Sequence, residues 1–484
     1  MEAGDRWLQD GEKLLLIDGR LVPAADGGRR EVIEPATGAP LATVATCGSL
    51  DALQALGAAR AAADDGPWTR MSAVDRIERI VALSQQIAAD ALVLARIEAR
   101  DSGRPLREAQ RDVRYAAALA LREAQRPAAS EGRWRRAGRT LEAVATPVPL
   151  GVVVVAAGAH APLRTAIGAI APALAAGNCV IVLPDVRTPL SALRVGELAR
   201  AAGLPQGVLQ VLSGGRDAGA ALAAEAGVDL VVADLGMDDQ RWLRATRDGR
   251  PIRFGPSAKG TLVVLNGADP AIAADHAMIG ACYGQGALPW GLQRIIAQRK
   301  LHDHLVLELI SRASSLTLGN PIDPDCELGP VASEGQREVV EAEIAAARTQ
   351  GATLVYGGTR GEDMRLAGGF YLQPALLVGL SPEMSAWRRD VAGPILLVHE
   401  AQDADAALAA VPSTGPVGVF GVQGVHQSRL DSEFPGRDIW QDSWNLAEAL
   451  GDPHWTTWRQ EDFTTQRTAF RAPPSGTGWY LGGV

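Results

Sequence analysis

Continuous apolar runs alternate with amphipathic segments through most of this chain, and the alternation predicts strands and helices in turn. Two runs, GVVVVAA at 151–157 and CVIVL at 179–183, are typical of buried strands, and residues 163–176 between them have helical spacing that stops at Gly177. The order continues with a helix, a strand, a helix and a strand at 189–202, 208–212, 216–225 and 228–235. This pattern predicts a parallel sheet covered by helices on both faces.

A second series of the same kind begins at GTLVVLNG, residues 260–267. It continues with a helix from about 269, a strand at 294–298, helices near 302–314 and 334–350, and strands at 371–380, 394–401 and 417–422. Before both series, short strands are predicted within 14–22 and 30–45, and helices at 49–64 and 71–100. The chain is therefore expected to be an α/β protein with two sheets.

Two further segments do not belong to either series. Residues 126–149 alternate around central glycines, which predicts a protruding hairpin that could pair with another subunit. The end of the chain is rich in tryptophan, at Trp440, Trp444, Trp455, Trp458 and Trp479. These indoles are interpreted either as core anchors of an irregular segment or as an interface with a partner.

Composition and charge exclude several classes of function. The chain has 484 residues, 47% hydrophobic residues and a formal net charge of −9, which would repel a nucleic-acid backbone. No stretch approaches the roughly 18 consecutive apolar residues of a transmembrane helix, and the charged N-terminus is unlike a signal peptide. Four scattered cysteines have no metal-like spacing. We expect a cytoplasmic protein without a metal site, nucleic-acid partner or membrane partner.

Short motifs along most of the chain resemble those of the aldehyde dehydrogenase superfamily, in order and in spacing. They are EPATGAPLATV at 34–44, GPWTRMS at 66–72, DSGRPLREA at 101–109, PLGVV at 149–153, APALAAGN at 171–178, AGLPQGVLQVLSG at 202–214, LGNPIDPDCELGPV at 318–331, GGFYLQP at 368–374 and GPIL at 393–396. The resemblance implies an aldehyde dehydrogenase-like fold in three parts. These are a Rossmann-like cofactor-type domain over 1–125 and 150–254, a catalytic-type α/β domain over 255–440, and an oligomerisation hairpin and tail over 126–149 and 441–484.

The resemblance also implies a chemistry in which a cysteine thiolate attacks an aldehyde and a glutamate activates water. At the position of that cysteine this sequence has Pro289, within GQGALPWGLQR at 284–294, and at the position of the glutamate it has Gly255. Proline offers neither a nucleophilic atom nor a backbone N–H. His160 occupies the place of an asparagine that holds the oxyanion, and a histidine can still donate a hydrogen bond.

The positions that would hold the dinucleotide are altered as well. The family's ribose-binding lysine and its acidic partner correspond to Leu183 and Val186, and the turn at the pyrophosphate corresponds to Leu235 and Gly236 beside Asp234. Asp390 is shorter than the expected glutamate, and Ala392 replaces an aromatic ring beneath the nicotinamide. These changes predict that no cofactor binds, with NAD or NADP as the weaker alternative.

The motifs that belong to the fold are intact, whereas those at the catalytic and cofactor positions are altered. We therefore expect that the chain is not an enzyme. It would be a catalytically silent structural or regulatory subunit, in a homo-oligomer or in a hetero-oligomer with an active aldehyde dehydrogenase. The first alternative is an NAD(P)-dependent aldehyde oxidoreductase, or another enzyme, with an altered active site. The second is a sensor that binds a small molecule in the vacated cleft.

Three other groups of residues are weaker candidates for a catalytic or metal site. Cys282 lies seven residues before Pro289 and could act as a displaced nucleophile, although a buried structural thiol is the simpler interpretation. His302 and His304 resemble a metal pair, but side chains two apart on a helix point in different directions. Ser257 and Lys259 suggest a Ser/Lys amidase, without the second serine of that chemistry.

Overall fold

The structure is a computed structural model that describes residues 2–126, 133–137, 141–235, 237–256, 258–361, 364–422, 427–444 and 459–471. It confirms the predicted α/β fold class, with two seven-stranded sheets. The helices are α1 Ala3–Gln9, α2 Ser49–Asp65, α3 Pro67–Arg70, α4 Ala73–Ala89, α5 Ala91–Ser102, α6 Leu106–Gln125, α7 Pro162–Ala175, α8 Leu190–Ala201, α9 Arg216–Ala224, α10 Met237–Arg247, α11 Pro270–Cys282, α12 Arg299–Ser315, α13 Glu334–Thr349, α14 Ser385–Arg388, α15 Ala404–Ala409 and α16 Gln427–Glu433.

The strands follow in the same numbering. They are β1 Leu15–Ile17, β2 Arg20–Val22, β3 Arg29–Ile33, β4 Pro40–Ala45, β5 Arg133–Ala137, β6 Leu141–Pro149, β7 Val152–Ala157, β8 Cys179–Pro184, β9 Leu209–Val211, β10 Leu230–Ala233, β11 Ile252–Phe254, β12 Gly260–Val264, β13 Leu292–Gln298, β14 Thr353–Tyr356, β15 Ala375–Val378, β16 Ile395–Ala401, β17 Val417–Phe420, β18 Ile439–Gln441 and β19 Thr464–Arg471. Short 3-10 turns lie at Tyr283–Gly286, Met364–Leu366 and Gln460–Phe463.

The first sheet has the strand order β11-β10-β7-β8-β9-β1-β2. Its five strands from β7 to β11 run parallel, with Val154 opposite Ile181 and Val231, whereas β1 joins β9 and β2 antiparallel. Every residue of β8 and β10 is buried, because helices cover both faces. Burial on both faces explains why these strands are continuous apolar runs in the sequence.

The second sheet has the order β14-β15-β16-β13-β12-β17-β18, and all its pairs are parallel except that of β14 with β15. Separate buried clusters lie on its two faces, one around Val263, Ile296 and Leu397 and the other around Leu262 and Ile295. Neighbouring residues of one strand thus enter different cores, as side chains alternate along a strand.

Several helical segments differ from the expectation, and the longest is the 20-residue helix α6, for which no element was predicted. The predicted helix over 71–100 is two helices, α4 and α5, which meet at Asp90, and α10 follows β10 where only a turn was expected. Within the described residues, no single helix is both long and apolar enough to cross a bilayer, and α4 with α5 meets that test only as a pair bent by 71°.

The hairpin and the tail come together in a third, antiparallel sheet of order β19-β6-β5. Strand β19 pairs with β6 from Thr464 opposite Pro149 to Arg471 opposite Glu142. Residues 127–132, 138–140, 445–458 and 472–484, with Trp455, Trp458 and Trp479, lie outside the described residues. The predicted domain boundaries and the assembly role of this sheet stay predictions.

Trp444 is a core anchor of the second sheet, where it is 3% exposed. Its indole occupies a slot between three glycines, Gly260 of β12, Gly280 of α11 and Gly418 of β17. A Cβ atom on these glycines would lie 2.0, 2.5 and 2.9 Å, respectively, from the nearest atom of the indole ring. Any larger residue would therefore displace the indole.

We predict that Gly280→Ala lowers the free energy of unfolding by about 1–3 kcal/mol, because the added methyl group overpacks the Trp444 slot. Gly57→Ala is the matched control, because Gly57 is also helical but has nothing within 4 Å of the added Cβ. That variant should gain about 0.5–1 kcal/mol, since alanine is the better helix former. Urea denaturation of the three proteins measures the difference, and equal midpoints for both variants would contradict the packing described.

Candidate functional site

A cleft of about 710 Å³ lies between the two sheets, at the carboxyl ends of β7, β8 and β10. We call it the cleft. The residues that carry its polar chemistry or match predicted site positions are Ser102, Arg104, His160, Asp185, Arg187, Asp234, Leu235, Arg241, Lys259, Gln285, Pro289, Gln336, Arg388, Arg389, Asp390 and Ala392. Open α/β sheets bind ligands at this end of their strands, because the chain leaves the sheet there and exposes loop atoms.

Of the predicted site positions, five line the cleft. Three others that the structure describes lie outside the cleft. Those at the cleft are His160, Leu235, Pro289, Asp390 and Ala392. Leu183 is buried in β8, Val186 is 38% exposed beyond the cleft lining, and Gly255 is buried with its N–H donated to the carbonyl of Ala233. Gly236 lies outside the described residues.

His160 and Asp234 form a pair at the ends of β7 and β10. His160 Nε2 lies 3.3 Å from Asp234 Oδ2, and the edge of the imidazole meets the Trp290 ring with 5.8 Å between centroids. The other carboxylate oxygen, Asp234 Oδ1, is buried without a hydrogen-bond partner among the described residues. Gly158 permits the pairing, because a Cβ there would lie 2.4 Å from the Asp234 carbonyl oxygen. The sequence alone did not reveal this pair.

The loop that carries Pro289 begins with a strained backbone. Gly284, Gln285 and Gly286 have φ of 62°, 54° and 66°, and the left-handed region is costly for Gln285 because it has a Cβ atom. Gln285 is 4% exposed, and its Nε2 has no partner among the described residues. A buried unpaired amide on a strained backbone is typical of a ligand-facing position. In the sequence, the two glycines that flank Gln285 in the GQG motif were the feature that could have indicated this position.

Lys259 lies beneath the same loop. Its Nζ donates to the carbonyls of Gly286 and Leu288, each at 2.6 Å, and the side chain is 4% exposed. Burial lowers the pKa of this amine to about 7, a shift that the charge of Asp390 opposes and that of Arg294 adds to. Burial at the cleft therefore favours the uncharged form of this amine.

Arg104 forms the buried floor of the cleft. Its Nη2 lies 2.9 Å from Asp112 Oδ2 and 3.3 Å from a carboxylate oxygen of Glu108, and the guanidinium is over the Tyr283 ring at 5.1 Å. Burial opposes its charge, but the two carboxylates outweigh burial and raise the pKa of Arg104. Glu108 also accepts the N–H of Gly284 at 3.0 Å, which ties the floor to the strained loop.

The four cysteines are buried, and none lines the cleft. Burial raises the pKa of Cys282 to about 12, with a smaller contribution from the charge of Glu108. A displaced thiolate at Cys282 is therefore unfavourable. His302 and His304 instead face Asp303 and Glu308, and the described residues contain no group of three or more metal-ligand side chains.

Polar groups at the strand ends fit a dinucleotide. Asp185 accepts three hydrogen bonds from Arg187, and although burial opposes ionisation, these bonds and the charge of Arg187 lower its pKa. A carboxylate of this kind can accept ribose hydroxyls, and Arg187 and Arg241 bring positive charge to the cleft.

Comparison with known proteins places this geometry in context. The model of the aldehyde dehydrogenase family matches residues 22–417. Betaine aldehyde dehydrogenase of Bacillus subtilis is 30% identical over 405 residues, which cover 80% of this chain and 79% of the relative. Betaine aldehyde dehydrogenase 1 of Oryza sativa subsp. japonica is 31% identical over 396 residues, which cover 80% and 78%.

Solved structures match over nearly the whole fold. Betaine aldehyde dehydrogenase of Staphylococcus aureus, as an apo point mutant, has a TM-score of 0.92 at 24% identity and covers 100% of both chains. The same enzyme in complex with NAD+ has a TM-score of 0.91 at 24% identity and covers 99% of both chains. This likeness confirms the fold that the sequence motifs predicted.

Two expectations from the sequence are wrong. The expectation that the chain is not an enzyme is contradicted by relatives of 30–31% identity that are named as dehydrogenases. The expectation that no cofactor binds is contradicted by the neighbour crystallised with NAD+. The physical reason is that altered motif residues remove one set of contacts but not the cleft, which keeps His160, Asp234, Asp185 and Lys259.

We predict that Gln285→Gly is more stable than Gln285→Ala by about 1–2 kcal/mol, the reverse of the usual order of these residues. Both substitutions delete the same amide, so the difference isolates the left-handed backbone. Urea denaturation of the two variants measures it. An alanine variant as stable as the glycine variant would mean that residue 285 is not held at positive φ.

Proposed function

This chain belongs to the aldehyde dehydrogenase family, and on that premise we propose that it is an NAD(P)-dependent aldehyde oxidoreductase with an altered active site. The observation that carries the proposal is the pair of His160 and Asp234 in the cleft, 3.3 Å apart. An imidazole beside a carboxylate is a common general base in enzymes. The names of the relatives support an aldehyde as the substrate class.

The altered site works without a thiol in this proposal. Pro289 stands at the motif position of the cysteine, and Gly255 stands at that of the glutamate. Neither residue can form a covalent intermediate or accept a proton. The reaction then starts from the hydrate of the aldehyde, which already carries both oxygen atoms of the acid product.

His160 removes the proton that the hydrate loses. As the substrate carbon gives up its hydrogen with both electrons, one hydroxyl becomes the new carbonyl, and its proton passes to the imidazole. Asp234 stabilises the imidazolium that results, because the carboxylate oxygen lies beside Nε2. Gln285 Nε2, which lacks a partner among the described residues, can donate to a substrate oxygen.

NAD or NADP would bind at the carboxyl ends of β7, β8 and β10. Asp185 would accept ribose hydroxyls, and Arg187 and Arg241 would face the phosphates. When bound, the oxidised nicotinamide would supply the acceptor for the hydride of the substrate. Relatives in this family use other residues at Leu183 and Val186, so Asp185 is proposed as the replacement for their acidic partner.

We also propose that the chain assembles through the sheet of β19, β6 and β5. Edge strands expose unpaired backbone groups that can pair with another chain. A homo-oligomer is the simpler assembly, and a hetero-oligomer with an active aldehyde dehydrogenase is the alternative. Light scattering on the purified chain distinguishes the first from a monomer.

We predict that NAD or NADP raises the melting temperature of the purified protein. Saturation at 100 times the dissociation constant adds about 2.7 kcal/mol to the stability of the folded state. The protein should then oxidise betaine aldehyde or acetaldehyde, with the reduced nicotinamide followed by its absorbance. A protein that neither gains stability with either dinucleotide nor turns over an aldehyde would contradict the proposed function.

We further predict that His160→Asn lowers kcat by about 100- to 10,000-fold, because a general base contributes about that factor. The stabilisation by the dinucleotide should persist in this variant. His304→Asn is the matched control, since His304 is exposed on α12 and does not line the cleft. An unchanged kcat in His160→Asn would place the base elsewhere.

A further inference from the structure

Lys259 is unusual in its chemical setting. The chain has only three lysines, Lys13, Lys259 and Lys300, among 47 lysine and arginine residues. Lys259 is the one that lines the cleft, together with Gln285 and Pro289 of the strained loop. It holds the carbonyls of Gly286 and Leu288 at 2.6 Å, so its amine lies directly beside the loop in which the family has its nucleophile.

The surroundings of Lys259 favour an uncharged amine. Among the described residues, no carboxylate lies within ion-pair distance of Nζ. The nearest acidic group that acts on it, Asp390, is already paired with Arg294 at 2.6 Å. An ammonium would be a buried cation without a counter-ion, which is costly.

A neutral amine at this place has a free lone pair. Its two N–H groups match the two carbonyl acceptors, Gly286 and Leu288, and the third position on nitrogen is then the lone pair. An ammonium would bring a third donor, for which the described residues provide no acceptor. The hydrogen-bond pattern therefore suits a nucleophile that the loop holds in place.

We propose that Lys259 is a covalent aldehyde-binding residue whose amine condenses with an aldehyde in the cleft to form an imine. The nitrogen lone pair forms the C–N bond, and one proton passes from nitrogen to the carbonyl oxygen to give a carbinolamine. Loss of that hydroxyl with a proton from nitrogen releases one water molecule and leaves the C=N bond. No oxidant or reductant is consumed, and water reverses the step. The proposal rests on the proposed function in one respect, that the cleft admits an aldehyde.

The other two lysines provide internal controls. Lys13 is also buried, at 3% exposure, and also donates to two backbone carbonyls, those of Trp7 and Asp10. Burial likewise lowers its pKa, although the charge of Glu197 opposes this. Lys13 does not line the cleft, however, and Lys300 is exposed on α12. Lys13 therefore tests the effect of burial outside the cleft, and Lys300 tests the reactivity of an exposed lysine, in the same molecule.

The experiment incubates the full-length protein with acetaldehyde and sodium cyanoborohydride, without dinucleotide, and locates the reduced adducts by peptide mass spectrometry. We expect Lys259 to be modified about tenfold faster than Lys300 at neutral pH, with a rate that saturates in acetaldehyde and rises as the pH increases through about 7. Lys13 should remain unmodified. Lys259→Met should lose the saturable adduct and keep the slow reaction of Lys300.

Several results would overturn the proposal. They are equal labelling of Lys259 and Lys300, labelling of Lys13 at the rate of Lys259, and no adduct at Lys259 in the wild-type protein. None of them depends on a folded Lys259→Met variant. Dinucleotide-dependent oxidation, measured on the same preparation, separates the two proposals: oxidation without an adduct refutes imine formation alone, and an adduct without oxidation refutes the proposed function alone.

Discussion

The buried charge of Arg104 is the interaction on which the geometry of the cleft depends. Its guanidinium lies between Glu108 and Asp112, and Glu108 reaches on to the backbone of Gly284 in the second half of the chain. Removal of one partner from such a cluster typically costs about 3–5 kcal/mol, because the remaining charge stays buried. The cluster thus ties the strained loop to α6, the helix that carries Glu108 and Asp112.

The strained loop and Lys259 are two consequences of this constraint. Three successive residues at positive φ turn the carbonyls of Gly286 and Leu288 toward Lys259 Nζ. The lysine in turn satisfies carbonyls that would otherwise be buried without a donor. The same loop presents Gln285 to the cleft. A backbone conformation that is unfavourable by itself is therefore held from two sides, by Glu108 on one and by Lys259 on the other.

The sequence predicted the fold much better than the site. Buried parallel strands are continuous apolar runs, so β7, β8 and β12 could be recognised without knowledge of their neighbours. Helix α10 has few apolar positions and was missed. The pair of His160 and Asp234 joins residues 74 apart in the chain, and only the meeting of strand ends brings them together. Motif comparison predicted altered groups at Pro289 and Gly255, but it could not show which polar groups line the cleft.

Burial decides which kinds of nucleophile such a site can use. A dry environment disfavours the charged form of any group, so it raises the pKa of the Cys282 thiol to about 12 and lowers that of the Lys259 amine to about 7. The reactive form of a thiol is the anion, whereas the reactive form of an amine is neutral. The same burial therefore disfavours the reactive form of the thiol and favours the reactive form of the amine. With proline at position 289, the loop itself offers no nucleophile, and the buried amine of Lys259 beneath it is the group proposed for that role.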